Sequence, residues 1–258
     1  MIYKFLMIAF AALTVILFAG CNNDSTSPTA TKAGTFTVET KSLGNGSVSS
    51  WYMLDESGKV TSMGLKFTES ALMGLPDEES ETTLSFGTVA DFPFNHIGID
   101  WNPHGHPPEH VYDVPHFDFH FYLISMAERQ MITAMGNDTM KCYMQPPQGG
   151  LPQDYMIIPG TAVPMMGAHA MDLTSPELNG GAFTKTFIYG YYNGMLIFLE
   201  PMVTIDYLKS MPNMDMQMKL PSIYPKSGYY PTHYSISYNA SDKTYMVTLS
   251  SMMMRNAM

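Results

Sequence analysis

The segment Pro115-His116-Phe117-Asp118-Phe119-His120-Phe121-Tyr122 alternates aromatic and polar residues from His116 to Phe121. A period of two belongs to a β-strand, because side chains two apart point to one face of a sheet. Phe117, Phe119 and Phe121 then face a core, and His116, Asp118 and His120 line the opposite face. A chain holding such a strand has to build a sheet around it. Six of the eight histidines fall between His96 and His120, so the same stretch concentrates the imidazoles. Imidazole and carboxylate on one rigid face are the material of a metal site or a proton-transfer site.

The rest of the pattern is also strand-rich. Residues 47–54 and 60–67 read as a hairpin across the turn Asp55-Glu56-Ser57-Gly58-Lys59, and 83–86 and 96–101 read as extended. Residues 183–191 and 195–199 flank Asn193-Gly194, a strong hairpin signal, and 233–238 with 244–250 form a last pair. The spacing of Ser125 and Glu128 is that of a capping box and predicts a helix over 126–135. Residues 68–75 and a segment capped by Thr204 read as further short helices. The expected fold is mainly β, β-sandwich-like or α+β, with two or three short helices.

The N-terminus reads as a leader. Lys4 precedes a nearly continuous apolar run, and Phe18-Ala19-Gly20-Cys21 resembles a bacterial lipobox. Residues 1–20 are therefore expected to be a lipoprotein signal peptide, with lipidation at Cys21 and a membrane partner through that anchor. Residues 21–34, rich in Ser, Thr, Asn and Pro, are a flexible tether. Residues 35–258 form a single strand-rich domain whose last part, 211–258, is a candidate Met-rich appendage. The expected location is the bacterial cell envelope, periplasmic or outer surface. With Cys21 lipidated, Cys142 is the one free cysteine, so no intrachain disulfide forms. A net charge of −10 argues against a nucleic-acid partner. Self-association into a homo-oligomer is compatible with these features.

The candidate site begins with His116, Asp118 and His120. Neighbours at i and i+2 are about 6.6 Å apart at Cα and can reach one ion, whereas His116 and His120 are about twice as far apart. Either a bulge brings both together, or Asp118 pairs with one histidine and the other acts elsewhere. The loop His104-Gly105-His106-Pro107-Pro108-Glu109-His110 offers more imidazoles. His106, restricted by the prolines after it, is preferred over His104 and His110. His169 lies near Asp172 and after Gly167, which permits close approach. Glu200 is the distant carboxylate, as ligand, general base or edge charge. His233 reads as surface. The 25 methionines include Met211, Met214, Met216 and Met218, an array resembling those of exported copper-handling proteins. A general methionine bias explains the same residues, since Met fills cores flexibly.

Several segments together resemble an uncharacterised, domain-of-unknown-function family of exported bacterial proteins named after a thermophile protein. They are Asp100-Trp101-Asn102-Pro103 with Gly105-His106-Pro107-Pro108, the His116–Tyr122 segment, Met166-Gly167-x-His169, Phe187-Ile188-Tyr189-Gly190 and Glu200-Pro201-Met202. The resemblance spans about 47–208. It implies that His106, His116, Asp118, His120, His169 and Glu200 share one pattern, and it brings no established activity. It also implies an aromatic residue after His169, where Ala170 stands here and would open that part of the site.

Three readings follow. The first is a metal site, with zinc first and copper as the alternative, held by His106, His116, His120 and His169. Glu200 or Asp118 would take a proton from metal-activated water in a hydrolase or lyase acting on a small molecule. The second is non-catalytic zinc or copper binding or buffering in the envelope. The third is an interaction module without metal.

Overall fold

Alternating segments with one apolar face can only bury it against one another, and here they do so in two sheets. The computed structural model describes residues 32–258. The expected signal peptide, Cys21 and most of the tether lie outside the described residues.

The strands are β1 (Gly34–Leu43), β2 (Gly46–Leu54), β3 (Val60–Thr68), β4 (Ser80–Ser85), β5 (His96–Asn102), β6 (His116–Tyr122), β7 (Tyr155–Ile157) and β8 (Ala168–Asp172). They continue with β9 (Lys185–Tyr192), β10 (Met195–Thr204), β11 (Asn213–Gln217), β12 (Gly228–Tyr230), β13 (His233–Asn239), β14 (Thr244–Ser250) and β15 (Met253–Arg255). One antiparallel sheet has the order β1-β2-β3-β14-β13-β11, and the other β4-β5-β6-β10-β9-β8-β7. Strands β12 and β15 form a small separate pair.

The sheets pack face to face. Phe67 of β3 stacks on Phe119 of β6, and Phe187 of β9 meets Tyr234 of β13. Ile97, Ile99, Phe117, Phe121, Leu199 and Val203 join the same buried cluster with Val48, Leu65, Ile236 and Val247 from the other sheet. The fold is mainly β and sandwich-like. Residues 211–258 are no appendage: β14 lies between β3 and β13 inside the six-stranded sheet.

The local signals act as their chemistry requires. Asn193 and Gly194 both have positive φ, matching the twist of the β9–β10 hairpin. Thr204 accepts from the Tyr207 N–H at the start of α3 (Ile205–Lys209). Helix α1 (Met126–Gln130) has the full capping box of Ser125 and Glu128. It is shorter than the spacing predicts. The Asp138 carboxylate, from α2 (Asp138–Cys142), accepts from the Thr133 and Ala134 N–H groups, and Ala134 turns to positive φ. Ser125→Ala removes one arm of the box and should lower stability by about 1 kcal/mol, read from the urea midpoint. An unchanged midpoint would show that α1 does not depend on its cap.

Every residue of β6 is buried. The outer face of the seven-stranded sheet therefore has its own cover. Tyr112, Met171, Phe183, Ile188 and Met202 form a second, smaller apolar cluster there, packed with Val111, Ile158 and Leu178. The histidine face of β6 lies beneath this cover, not in open solvent.

Candidate metal centre

The strand registers place the polar groups. On β5 and β6, Asp100 is opposite Asp118, Asn102 opposite His116 and Gly98 opposite His120. On β10, Met202 pairs with Asp118, so two residues on Glu200 comes level with His120. On β8, His169 is opposite Gly190 of β9, which in turn is opposite Phe198 of β10. Period two then puts His116, Asp118, His120, Glu200 and His169 on one face. His106 reaches them from the loop between β5 and β6.

The groups separate into two. His116 Nε2 lies 3.2 Å from Asp118 Oδ1, and His106 Nε2 lies 3.2 Å from Asp118 Oδ2. His120 Nε2 is 3.3 Å from Glu200 Oε1, and His169 Nε2 is 3.8 Å from Glu200 Oε2. Among the described residues, His106/His116/Asp118 and His120/His169/Glu200 are two groups whose ligand atoms lie within 4.8 Å of one another and could hold a metal ion. The rise along β6 already forbids His116 and His120 one undistorted ion, and each sits in a different group.

The other ring nitrogens fix the tautomers. His106 Nδ1 donates to the Pro107 carbonyl at 2.7 Å, His116 Nδ1 to Val114 at 2.6 Å and His169 Nδ1 to Thr161 at 2.8 Å. A carbonyl only accepts, so in each neutral ring Nε2 is a bare lone pair. Those of His116 and His169 face carboxyl oxygens, whereas His106, protonated beside Asp118, hydrogen-bonds through Nε2 to Asp118 Oδ2 at 3.2 Å. His116, His120, Glu200 and Asp118 are 0%, 1%, 1% and 4% exposed, so water does not fill the gap freely. His116 Nε2, Asp118 Oδ1, His120 Nε2 and Glu200 Oε2 have no hydrogen-bond partner. Acceptor facing acceptor in a buried space needs a proton or a cation between them. Nδ1 held by a carbonyl with Nε2 free is also how ligating histidines are usually oriented.

Supporting groups surround this. Asn102 Nδ2 donates to Asp118 Oδ2 at 2.8 Å. Asp100 Oδ2 lies 2.8 Å from His120 Nδ1, too bent for a hydrogen bond. Arg129, 1% exposed, pairs with Glu81 and lies over the Tyr122 ring, which stacks on His120. Gly98 keeps this corner open: a Cβ there would meet Glu81 at 3.1 Å.

Electrostatics follow from burial and pairing. Burial raises the Asp118 carboxyl, but His116 and the hydrogen bond from His106 outweigh it and hold it below the usual range. Burial raises Glu200 to about 8 against the pull of His120. Burial pulls His120 and His106 down, but Glu200 and Asp100 lift the first, and Asp118 the second, to about 9. His169 falls to about 4 through burial and the nearby His120. Above pH 6.5 the metal-free fold thus keeps protons that the unfolded chain is losing or has lost, on Glu200 up to about pH 8 and on His106 and His120 up to about 9. Stability then falls as pH rises. The melting temperature of metal-free protein should decline across that window, and zinc affinity should rise, because binding displaces those protons. A flat or rising melting profile would contradict this proton balance.

The remaining candidates lie elsewhere. His104 and His110 are exposed, 3.6 Å from Asp77 and 3.8 Å from Asp113. Asp172 pairs with Lys219 at 2.9 Å, not with His169. His233 pairs with Asp215 at 2.6 Å on the six-stranded sheet. In the methionine array Met218 is buried in the core, while Met211 and Met216 are exposed. Ala170 is buried in the core on the face opposite His169, so it opens nothing in the site. Sequence reading passed over Asp100 and Asn102. The signal was present: His96, Gly98, Asp100 and Asn102 alternate with Ile97, Ile99 and Trp101.

Both groups open into one cavity of about 680 Å³, lined also by Tyr112, Ile158, Met166, Met171, Ile188 and Met202. The TTHB210-like family, described as hypothetical protein TTHB210, matches this chain over residues 55–101. The match covers less than half of the chain and ends within β5, before the histidines of the site. No curated protein and no solved structure matches the chain.

Proposed function

We propose that this is an exported, lipid-anchored metalloprotein of the bacterial cell envelope that uses zinc to activate water in a hydrolase or lyase reaction. One observation carries the reading: the Nε2 atoms of His116 and His169, whose Nδ1 atoms are held by carbonyls, face the buried Asp118 and Glu200 carboxyls across gaps of 3.2 and 3.8 Å. Two histidines and one carboxylate suit zinc and leave a fourth position for water, whose pKa the ion lowers toward 7. His106, His116, His120 and His169 bind. Glu200 and Asp118 would each either complete a ligand set or take the proton from metal-activated water, one oxygen of each having no hydrogen-bond partner. The lipobox-like Cys21 supports the anchor.

Copper is the second reading, with storage or buffering in place of turnover. Met166, Met171 and Met202 line the same cavity, and thioether sulfur prefers Cu(I).

The test is elemental analysis of the mature chain, expressed without its leader and never exposed to a nickel column, beside a His116→Ala/His120→Ala variant. Tightly held zinc, lost in the variant, with turnover in a hydrolase and lyase screen, is the expected result. Metal without turnover would favour buffering. A folded protein that binds no metal would leave an interaction module.

A further inference from the structure

Each of the two groups is complete in itself. Asp118 faces His116 with one oxygen and His106 with the other; Glu200 does the same with His120 and His169. Each group brings its three ligand atoms within 4.8 Å of one another, so an ion seated in one leaves the ligand set of the other intact. We propose that the cavity holds two divalent ions at once, one in each group, and that together they seat the oxyanion head of a small molecule whose body is apolar. This rests on the metal reading above and extends it to a two-ion centre and its ligand class.

Asp118 and His120 are neighbours on one face of β6, so the two seats lie about one strand repeat apart, roughly 6–7 Å. Ions that share one bridging atom sit at about 3.5–4 Å. At that spacing a carboxylate or phosphate would ligate one ion directly and reach the other through a water bound to it.

Charge points the same way. Among the described residues, no Lys or Arg lines the cavity, while Glu79, Glu81, Asp100, Asp118 and Glu200 do. Metal-free, the cavity offers an anion no Lys or Arg side chain. With Glu81 paired to Arg129 and Glu79 exposed, two divalent ions outweigh the three carboxylates left around them, Asp100, Asp118 and Glu200, and turn the floor attractive. Beyond the ions, the Tyr112, Ile158, Met166, Met171, Ile188 and Met202 wall offers no charge to a ligand. At about 680 Å³ the cavity is of a size that takes a head with a short apolar chain.

The test has two stages on the mature full-length chain. Metal-stripped protein is titrated with zinc, and bound ion is counted by elemental analysis. Two per chain are expected, falling to one in His106→Ala/His116→Ala and to one in His169→Ala. One per chain in the unaltered protein overturns the two-ion centre and leaves the metal reading standing; none overturns both. The unaltered count depends on neither variant, and a folding defect in one variant leaves the other informative. Hexanoate, hexyl phosphate and hexanol are then titrated calorimetrically into two-ion, one-ion and metal-free protein. At least one anion should bind the two-ion form tenfold or more tighter than the one-ion form, with no measurable binding of hexanol. Equal binding of hexanol, equal binding of the anions to metal-free protein, or no binding by any probe overturns the ligand class.

Discussion

Zinc at a thousandfold excess over its dissociation constant should raise the melting temperature of the stripped protein by about 8–16 °C, and a chelator should reverse it. The size follows from linkage: such an excess stabilises the native state by about 4 kcal/mol, and each kcal/mol moves a chain of this size by about 2–4 °C. The structural reason is that metal-free Asp118 and Glu200 are buried carboxylates facing imidazole nitrogens, a conflict that protons relieve only in part and a cation removes. The gain should be largest at alkaline pH, where the metal-free fold has lost the protons on Glu200, His106 and His120. His169→Ala should lose part of the gain and keep the part due to the other group. A melting temperature indifferent to zinc in the unaltered protein would mean that the buried groups are satisfied without metal.

Gly190→Ala should weaken metal binding at His120, His169 and Glu200 by on the order of 10–100-fold, the usual effect of disturbing groups that orient ligands. It should also destabilise the fold by about 1–3 kcal/mol, as overpacking does. A Cβ on Gly190 would fall 2.1 Å from the Phe198 ring. That ring is fully buried, edge-on to His120 with centroids 4.8 Å apart and 5.4 Å from His169. It is a wedge that sets the angle between the two imidazoles, and only the missing side chain at position 190 leaves it room. The His106, His116 and Asp118 group lies outside this slot and should bind as before. Competition titrations of zinc and the denaturant midpoint read both effects. If neither changes, Phe198 does not set the ligand geometry.

How much of this was legible depends on whether a signal was local. Strand β6 was, because Phe117, Phe119 and Phe121 alternate with ionisable residues and nothing but a sheet satisfies both sets. The hairpin at Asn193-Gly194 and the caps at Ser125 and Thr204 were legible for the same reason: each is a short-range hydrogen-bond or backbone requirement. Strand β1 was not, since Gly34–Leu43 is an edge strand of mostly exposed Thr, Lys, Ser and Glu with little apolar contrast. Strand β11 did show period two at Met214 and Met216, but those sulfurs read equally as a ligand array. Its role became clear only from pairing with β13. In the site, the sequence reading placed His106, His116, His120 and His169 around one metal, with a bulge to bring His116 and His120 together; β6 runs without one there, and the four divide between two groups. Their actual partners could not be read, because His169 reaches Glu200 through the order β10-β9-β8, which is not written in local sequence. The cover over the outer face was equally hidden, so the local sequence did not show that His116 and His120 are fully enclosed.

The most direct test of the metal reading is a crystal structure of zinc-loaded protein with anomalous data collected on both sides of the zinc absorption edge. Strong anomalous density bounded by His120 Nε2, His169 Nε2 and Glu200, with a second peak among His106, His116 and Asp118, is the predicted result. Anomalous density only on exposed residues such as His104 or His110, with ordinary hydrogen bonds closing the gaps around Asp118 and Glu200, would contradict it.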